Sequence, residues 1–139
     1  MPDPITSVQN ARIKRLVKLR ERKHREREGV MVLDELRIVE RALDAGLAFE
    51  EIHLCPEVLH RHDPDGRLAA RLRESGAPVF ELAPHVLEKA AYRQNPEGAI
   101  VTAVPPASTL DSLDPGPNPL VIVLEDVEKP GNLGAVVRT

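Results

Sequence analysis

Near the amino terminus, Ile13, Leu16 and Val17 stand at helical spacing among charged residues. Thr6 and Gln9 are spaced as a capping box, so the pattern predicts a first helix over residues 7–27, ended by Gly29. The continuous apolar run Val30-Met31-Val32-Leu33 then predicts a short buried strand. Behind Asp34 as a cap, Leu36, Val39 and Leu43 form one stripe with Ile38 and Ala42 beside it. That is a second helix, and Gly46 supplies its stop.

The strand-then-helix pattern repeats. Residues 51–55 predict a strand, Asp63-Pro64-Asp65-Gly66 a turn, and residues 68–73 a helix that stops near Gly76. A third strand is expected over 78–82 and a short helix over 85–91, with Pro84 suited to its first turn. A fourth strand is expected over 98–104. Alternation at these lengths predicts an α/β fold, a small layered domain with a mainly parallel sheet covered by helices.

Residues 105–119 carry five of the thirteen prolines and read as a semi-rigid linker. After them Leu120-Val121-Ile122-Val123-Leu124 predicts a strand buried on both faces, then a loop over 125–132 and a helix opening at Leu133. The expected organisation is a domain over 1–104, a linker over 105–119 and the opening of a second domain over 120–139. A lone strand and one helical turn bury too little area to offset their ordering entropy, so 120–139 are expected to be loosely held, docking on the first domain or pairing with another molecule.

Composition narrows the function classes. The 139 residues are 42% hydrophobic and 29% charged, as in an ordinary globular chain. Aromatics are only 2% (Phe49, Phe80 and Tyr92), which argues against a nucleic-acid surface built on rings stacked with bases. No apolar run of about 18 residues is present and the first residues lack a signal-peptide pattern, so a soluble, cytoplasmic setting without membrane contact is expected. The single Cys55 lies in an apolar run and reads as a small buried side chain.

The net charge of −3 hides an asymmetry. Residues 1–28 hold nine Lys/Arg against four Asp/Glu, a balance of +5, whereas residues 29–139 hold ten against eighteen, a balance of −8. A basic block of this kind can bind a polyanion by neutralising phosphates and releasing counterions. Arg12, Lys14, Lys18 and Lys23 are the candidate contacts, with a solvated helix carrying local ion pairs as the plain alternative. Cys55, His60, His62 and Asp63 fit no compact zinc spacing, so no metal site is expected. Near the carboxyl end, Gly131-Asn132-Leu133-Gly134 opens a helix after a strand, where α/β proteins place ligands, with Asn132 a good N-cap and Arg138 suited to a phosphate or carboxylate. Neither the dinucleotide fingerprint nor a P-loop is matched.

Glu128-Lys129-Pro130-Gly131-Asn132-Leu133-Gly134-Ala135-Val136-Val137-Arg138-Thr139 resembles the first motif of the SpoU/TrmH RNA 2′-O-ribose methyltransferases of the SPOUT superfamily. Upstream, Ile5-Thr6-Ser7-Val8-Gln9-Asn10, the basic segment, residues 32–39 and Tyr92-Arg93-Gln94-Asn95-Pro96-Glu97-Gly98 resemble that family's substrate-binding domain in the right order. The resemblance implies a ribosomal-protein-like RNA-binding domain, followed by the first strand of a truncated trefoil-knot domain. It implies methyl transfer from S-adenosylmethionine to a ribose hydroxyl of structured rRNA or tRNA, with Asn132 and Arg138 as the catalytic positions and Arg37 as a further RNA contact. At the second helix Asp34-Glu35 stands where the family has Glu-Gly.

The later motifs that form the knot and the cofactor pocket are absent from this sequence. The residues that bind cofactor are therefore unknown, and the chain alone is expected neither to bind S-adenosylmethionine nor to methylate. The family's homodimer would form through a region also absent here. Two other readings compete: a non-enzymatic adaptor whose basic helix binds an acidic protein, and a truncated nucleotide-binding domain.

Overall fold

The computed structural model describes residues 3–127 and 130–139, which fall into two units, one ending at Pro106 and the other Ala107–Thr139. In the first unit a four-stranded sheet is ordered β1-β4-β2-β3, from β1 (Met31–Leu33), β2 (Phe49–Leu54), β3 (Val79–Glu81) and β4 (Ala99–Ala103). α1 (Ala11–Lys18) and α6 (Pro84–Ala90) bury Ile13, Leu16, Val86 and Leu87 with Ile100 on one side of it. On the other side, α3 (Leu36–Asp44), α4 (Pro56–Leu59) and α5 (Arg67–Glu74) bury Val39, Leu59 and Leu72 with Ile52, Leu54 and Val101. Fully burying each such aliphatic side chain contributes about 1.5–3 kcal/mol.

The sheet is mixed rather than mainly parallel. β2 and β3 pair in parallel across the α4–α5 crossover, but β4 runs antiparallel to both β1 and β2. Thus β1, β2 and β3 share one direction and only β4 is reversed. The cause lies in the connection after β3. α6 has seven residues and spans about 10 Å, and the following loop returns the chain into the sheet from the end at which β3 leaves it. A strand buried on both faces need not be parallel, and all five β4 residues are buried.

The helix expected over 7–27 is two helices, α1 and α2 (Arg22–Glu28). Asn10, not Thr6, caps α1, its Oδ1 accepting from the Arg12 N–H at 2.9 Å. The break after Lys18 folds Leu19 fully into the core. Arg25 of α2 holds the turn by donating through Nη1 to the carbonyls of Leu19 and Arg20, each at 2.7 Å. Gly29 closes α2 in the left-handed conformation, as its position suggested. The short helix α4 was not foreseen.

Asp34 does not cap α3. Its Oδ2 accepts from the Tyr92 and Arg93 N–H groups, each at 3.1 Å, and the first turn of α3 is served instead by Glu97, whose Oε2 accepts from Leu36 N–H at 2.8 Å. Glu35, next to Asp34, faces Arg93 at 3.6 Å. Removing a carboxylate that satisfies a helix-end N–H costs about 1 kcal/mol. Glu97→Ala should therefore lower the urea midpoint correspondingly, and an unchanged midpoint would show that water serves Leu36 equally well.

In the second unit a 3₁₀ turn spans Leu110–Ser112 and α7 spans Pro130–Arg138. Residues 120–124, expected as a strand, run as irregular exposed chain with no strand pairing. An apolar run becomes a strand only where neighbours accept its backbone hydrogen bonds. α7 begins at Pro130 rather than Leu133, so Asn132 sits inside its first turn and is not an N-cap. Glu128 and Lys129 of the motif, and Met1 and Pro2, lie outside the described residues.

Candidate nucleic-acid interface

The nine cations of the basic block divide into those that hold the fold and those that face solvent. Arg15 is clamped by three carboxylates: Nε donates to Glu28 at 2.7 Å, Nη2 to Glu50 at 2.8 Å and Nη1 to Glu51 at 3.3 Å. Burial draws its pKa down, but the bonds to Glu50 and Glu28 outweigh that and the net shift is upward, so it stays charged. Arg12 pairs with Glu51 and lays its guanidinium 3.8 Å from the centre of the Phe80 ring. Arg20 donates through Nη2 to the Lys89 and Ala91 carbonyls at the end of α6, the latter at 2.6 Å. These contacts fix α1 onto the sheet and onto α6.

Lys14 and Lys18 differ. They lie one helical turn apart, opposite the Ile13–Leu16 stripe, both exposed and without an ion pair to any described residue. On α2, Lys23 pairs with Glu21 at 2.8 Å, Arg22 pairs with Glu26, and Arg27 bonds His24 at 3.1 Å, all at the surface. Such pairs are worth little and give way readily to a phosphate.

Of the expected RNA contacts, Arg12, Lys14 and Lys18 share α1 and Lys23 follows on α2, but Arg37 stands apart. It is exposed on α3, which covers the opposite face of the sheet, and lines a groove of about 300 Å³ with Arg67 and Arg71. Arg71 there is paired with Asp44 at 2.6 Å and Glu40 at 3.6 Å. One flat nucleic-acid surface therefore does not collect all five residues.

Other polar residues have structural work. Asp63 accepts from the Leu68 and Ala69 N–H groups at 3.1 and 2.8 Å, starting α5. Desolvation opposes its charge, yet these donors hold its pKa below the ordinary value. Cys55 is fully buried and its thiol is pushed up by burial, the state of an inert core cysteine. Among the described residues no group of three His, Cys, Asp or Glu is placed to hold a metal, and no helix is long and apolar enough to cross a membrane.

His53 is fully buried in β2 with its ring 5.6 Å from Phe80, and its Nε2 lies 3.7 Å from Glu51, beyond hydrogen-bond length. Burial lowers its pKa to about 4. The unfolded chain therefore binds a proton first, near pH 6.5. Stability is full above that pH and is lost as pH falls toward about 4, by up to about 3 kcal/mol. His53→Leu should flatten this limb of a denaturant-midpoint profile; identical profiles would contradict the assignment.

Asn132 and Arg138 lie in the first and last turns of α7, both exposed, and the Arg138 guanidinium folds back along Gly134. Exposed side chains on one helix provide no enclosing walls for a nucleoside cofactor, so these residues do not by themselves fit S-adenosylmethionine, and no step of methyl transfer follows from them. Sequence reasoning placed Tyr92, 69% exposed, in a segment that resembles the family's substrate-binding domain but gave it no role of its own, and read Asp34 as a helix cap rather than as the anchor of the Tyr92 backbone. The signal was present as an aromatic residue leading the turn Arg93-Gln94-Asn95-Pro96.

Residues 10–101 match the MRM3-like substrate binding domain family. The chain is 33% identical over 138 residues to an uncharacterized tRNA/rRNA methyltransferase of Synechocystis sp., covering 97% of this chain and 47% of that protein. A crystal structure of an RNA 2′-O ribose methyltransferase aligns at 37% identity and TM-score 0.71, over 98% of this chain and 50% of the other. A protein from Porphyromonas gingivalis described as an RNA methyltransferase of the TrmH family aligns at 25% identity and TM-score 0.62, over 95% and 48%. Structures of related methyltransferases with AdoMet bound share the fold at lower identity. The chain spans about half the length of these relatives. It belongs to the MRM3-like substrate binding domain family, within the SpoU/TrmH group of RNA methyltransferases.

Proposed function

We propose that the unit ending at Pro106 grips structured rRNA or tRNA by its phosphates, as the substrate-holding part of a cytoplasmic, S-adenosylmethionine-dependent RNA 2′-O-ribose methyltransferase. The observation that carries the reading is the division of the basic block. The arginines of α1 are occupied within the fold, while Lys14 and Lys18 project from its outer face with no partner among the described residues. Two lysines one helical turn apart match successive phosphates of a backbone better than any single small anion.

Asn132 and Arg138 are carried as the catalytic pair of the larger enzyme. Arg138 would position the target ribose or its phosphate, since a guanidinium is a poor proton acceptor. The remaining walls of the cofactor site, and the homodimer, would be supplied by the part of such an enzyme that this chain does not span.

The test is the affinity of the chain for a labelled structured rRNA fragment as salt rises. Neutralising two phosphates gives a log–log slope near −2, a loss of about tenfold between about 50 and 200 mM salt. A flat response would overturn the phosphate grip.

A further inference from the structure

A groove of about 250 Å³ opens where α1 ends, immediately beyond Lys18. Its floor is apolar, made by Leu16, Leu19, Met31 and Val32. Its rim is polar and charged. Arg20 and Arg25 line it, each anchored by bonds to backbone carbonyls, and Asp34 lines it as well. Tyr92, 69% exposed, also lines it, and its backbone N–H is tied to Asp34 Oδ2 at 3.1 Å.

We infer that this groove takes one unpaired nucleobase of the RNA held by α1, stacked on Tyr92. The inference rests on the RNA-binding reading and adds to it a site for a base. The chemistry selects that occupant from several directions. Apolar lining beside an exposed tyrosine and two arginines offers stacking surfaces, and single-stranded bases are read by stacking on aromatic and Arg planes. The volume falls below the range of drug-sized pockets, which suits one ring system rather than a whole cofactor.

Polar capacity at the rim is left over as well. Asp34 Oδ1 has no hydrogen bond among the described residues and can accept from an exocyclic amine. The scarcity of aromatics excludes an extended stacking platform and leaves room for a single ring used once.

Tyr92 is the only tyrosine and the chain has no tryptophan, so its emission reports this groove alone. The full chain is titrated with an RNA hairpin bearing an unpaired loop and with a blunt RNA duplex of equal nucleotide count. Binding is followed by anisotropy of the labelled RNA and stacking by tyrosine quenching. Both RNAs should bind and only the hairpin should quench. Tyr92→Ala should weaken the hairpin about tenfold and the duplex less than about twofold, with Tyr92→Phe close to wild type. Binding without quenching, equal quenching by both RNAs, or equal weakening of both by Tyr92→Ala would overturn the base site while leaving the phosphate grip standing. Binding of neither RNA would sink both.

Discussion

Gly98→Ala is expected to cost more than about 4 kcal/mol and to leave little folded protein, since a domain of this size has only about 5–15 kcal/mol to lose. Gly98 has φ +105°, a conformation that a side chain rarely adopts, and an added Cβ would collide with the backbone of Leu59 and stand 2.7 Å from its Cβ. Leu59 cannot retreat. Its N–H donates to the Cys55 carbonyl at 2.8 Å, its own carbonyl accepts from Asp63 N–H at 2.8 Å, and Cys55 N–H donates back to the Gly98 carbonyl at 2.8 Å. Gly46 provides the control, with φ +67° and open space around it. Gly46→Ala should cost about 1–2 kcal/mol, the penalty of the left-handed conformation alone. Denaturant unfolding followed by circular dichroism compares the two; similar midpoints would show that the contact at Gly98 relaxes.

Reversing both outer lysines, Lys14→Glu with Lys18→Glu, should weaken binding to structured RNA on the order of a hundredfold at about 0.1 M salt and reduce the salt slope by about 2. Folding should change by no more than about 1 kcal/mol, because neither side chain contacts a described partner and only the favourable charge of Lys18 at the end of α1 is lost. Arg15→Gln should do the opposite. It leaves Glu28, Glu50 and Glu51 without their shared cation, so stability falls while the salt slope holds. If the lysine variant bound RNA with an unaltered slope, the exposed face of α1 would not be the grip.

Much of the fold was legible because burial imposes period. Ile13 and Leu16, Leu36 and Val39, and Leu68 and Leu72 mark their helices directly, and each lies in the core. What was illegible depends on residues far apart. The break at Leu19 is held by Arg25, the start of α3 by Glu97, and the reversal of β4 by the loop that follows α6. Residues 120–124 read as a strand because an apolar run carries no information about whether a partner strand is present.

The site was legible in the same uneven way. Composition pointed to the basic block, and Lys14 and Lys18 stand exposed within it. It could not tell that Arg12 and Arg15 meet Glu50 and Glu51, more than thirty residues on. Nor could it tell that Arg37 lies across the sheet from α1, since which face a helix covers is decided by the crossover and not by the helix.

The most direct test maps the amide resonances of the chain as a structured rRNA fragment is added. Shifts should concentrate on the outer face of α1, at Lys14 and Lys18, with a second set at Tyr92, all fading as salt rises. Shifts confined to the groove of Arg37, Arg67 and Arg71 on the opposite layer, or none at all, would contradict the phosphate grip.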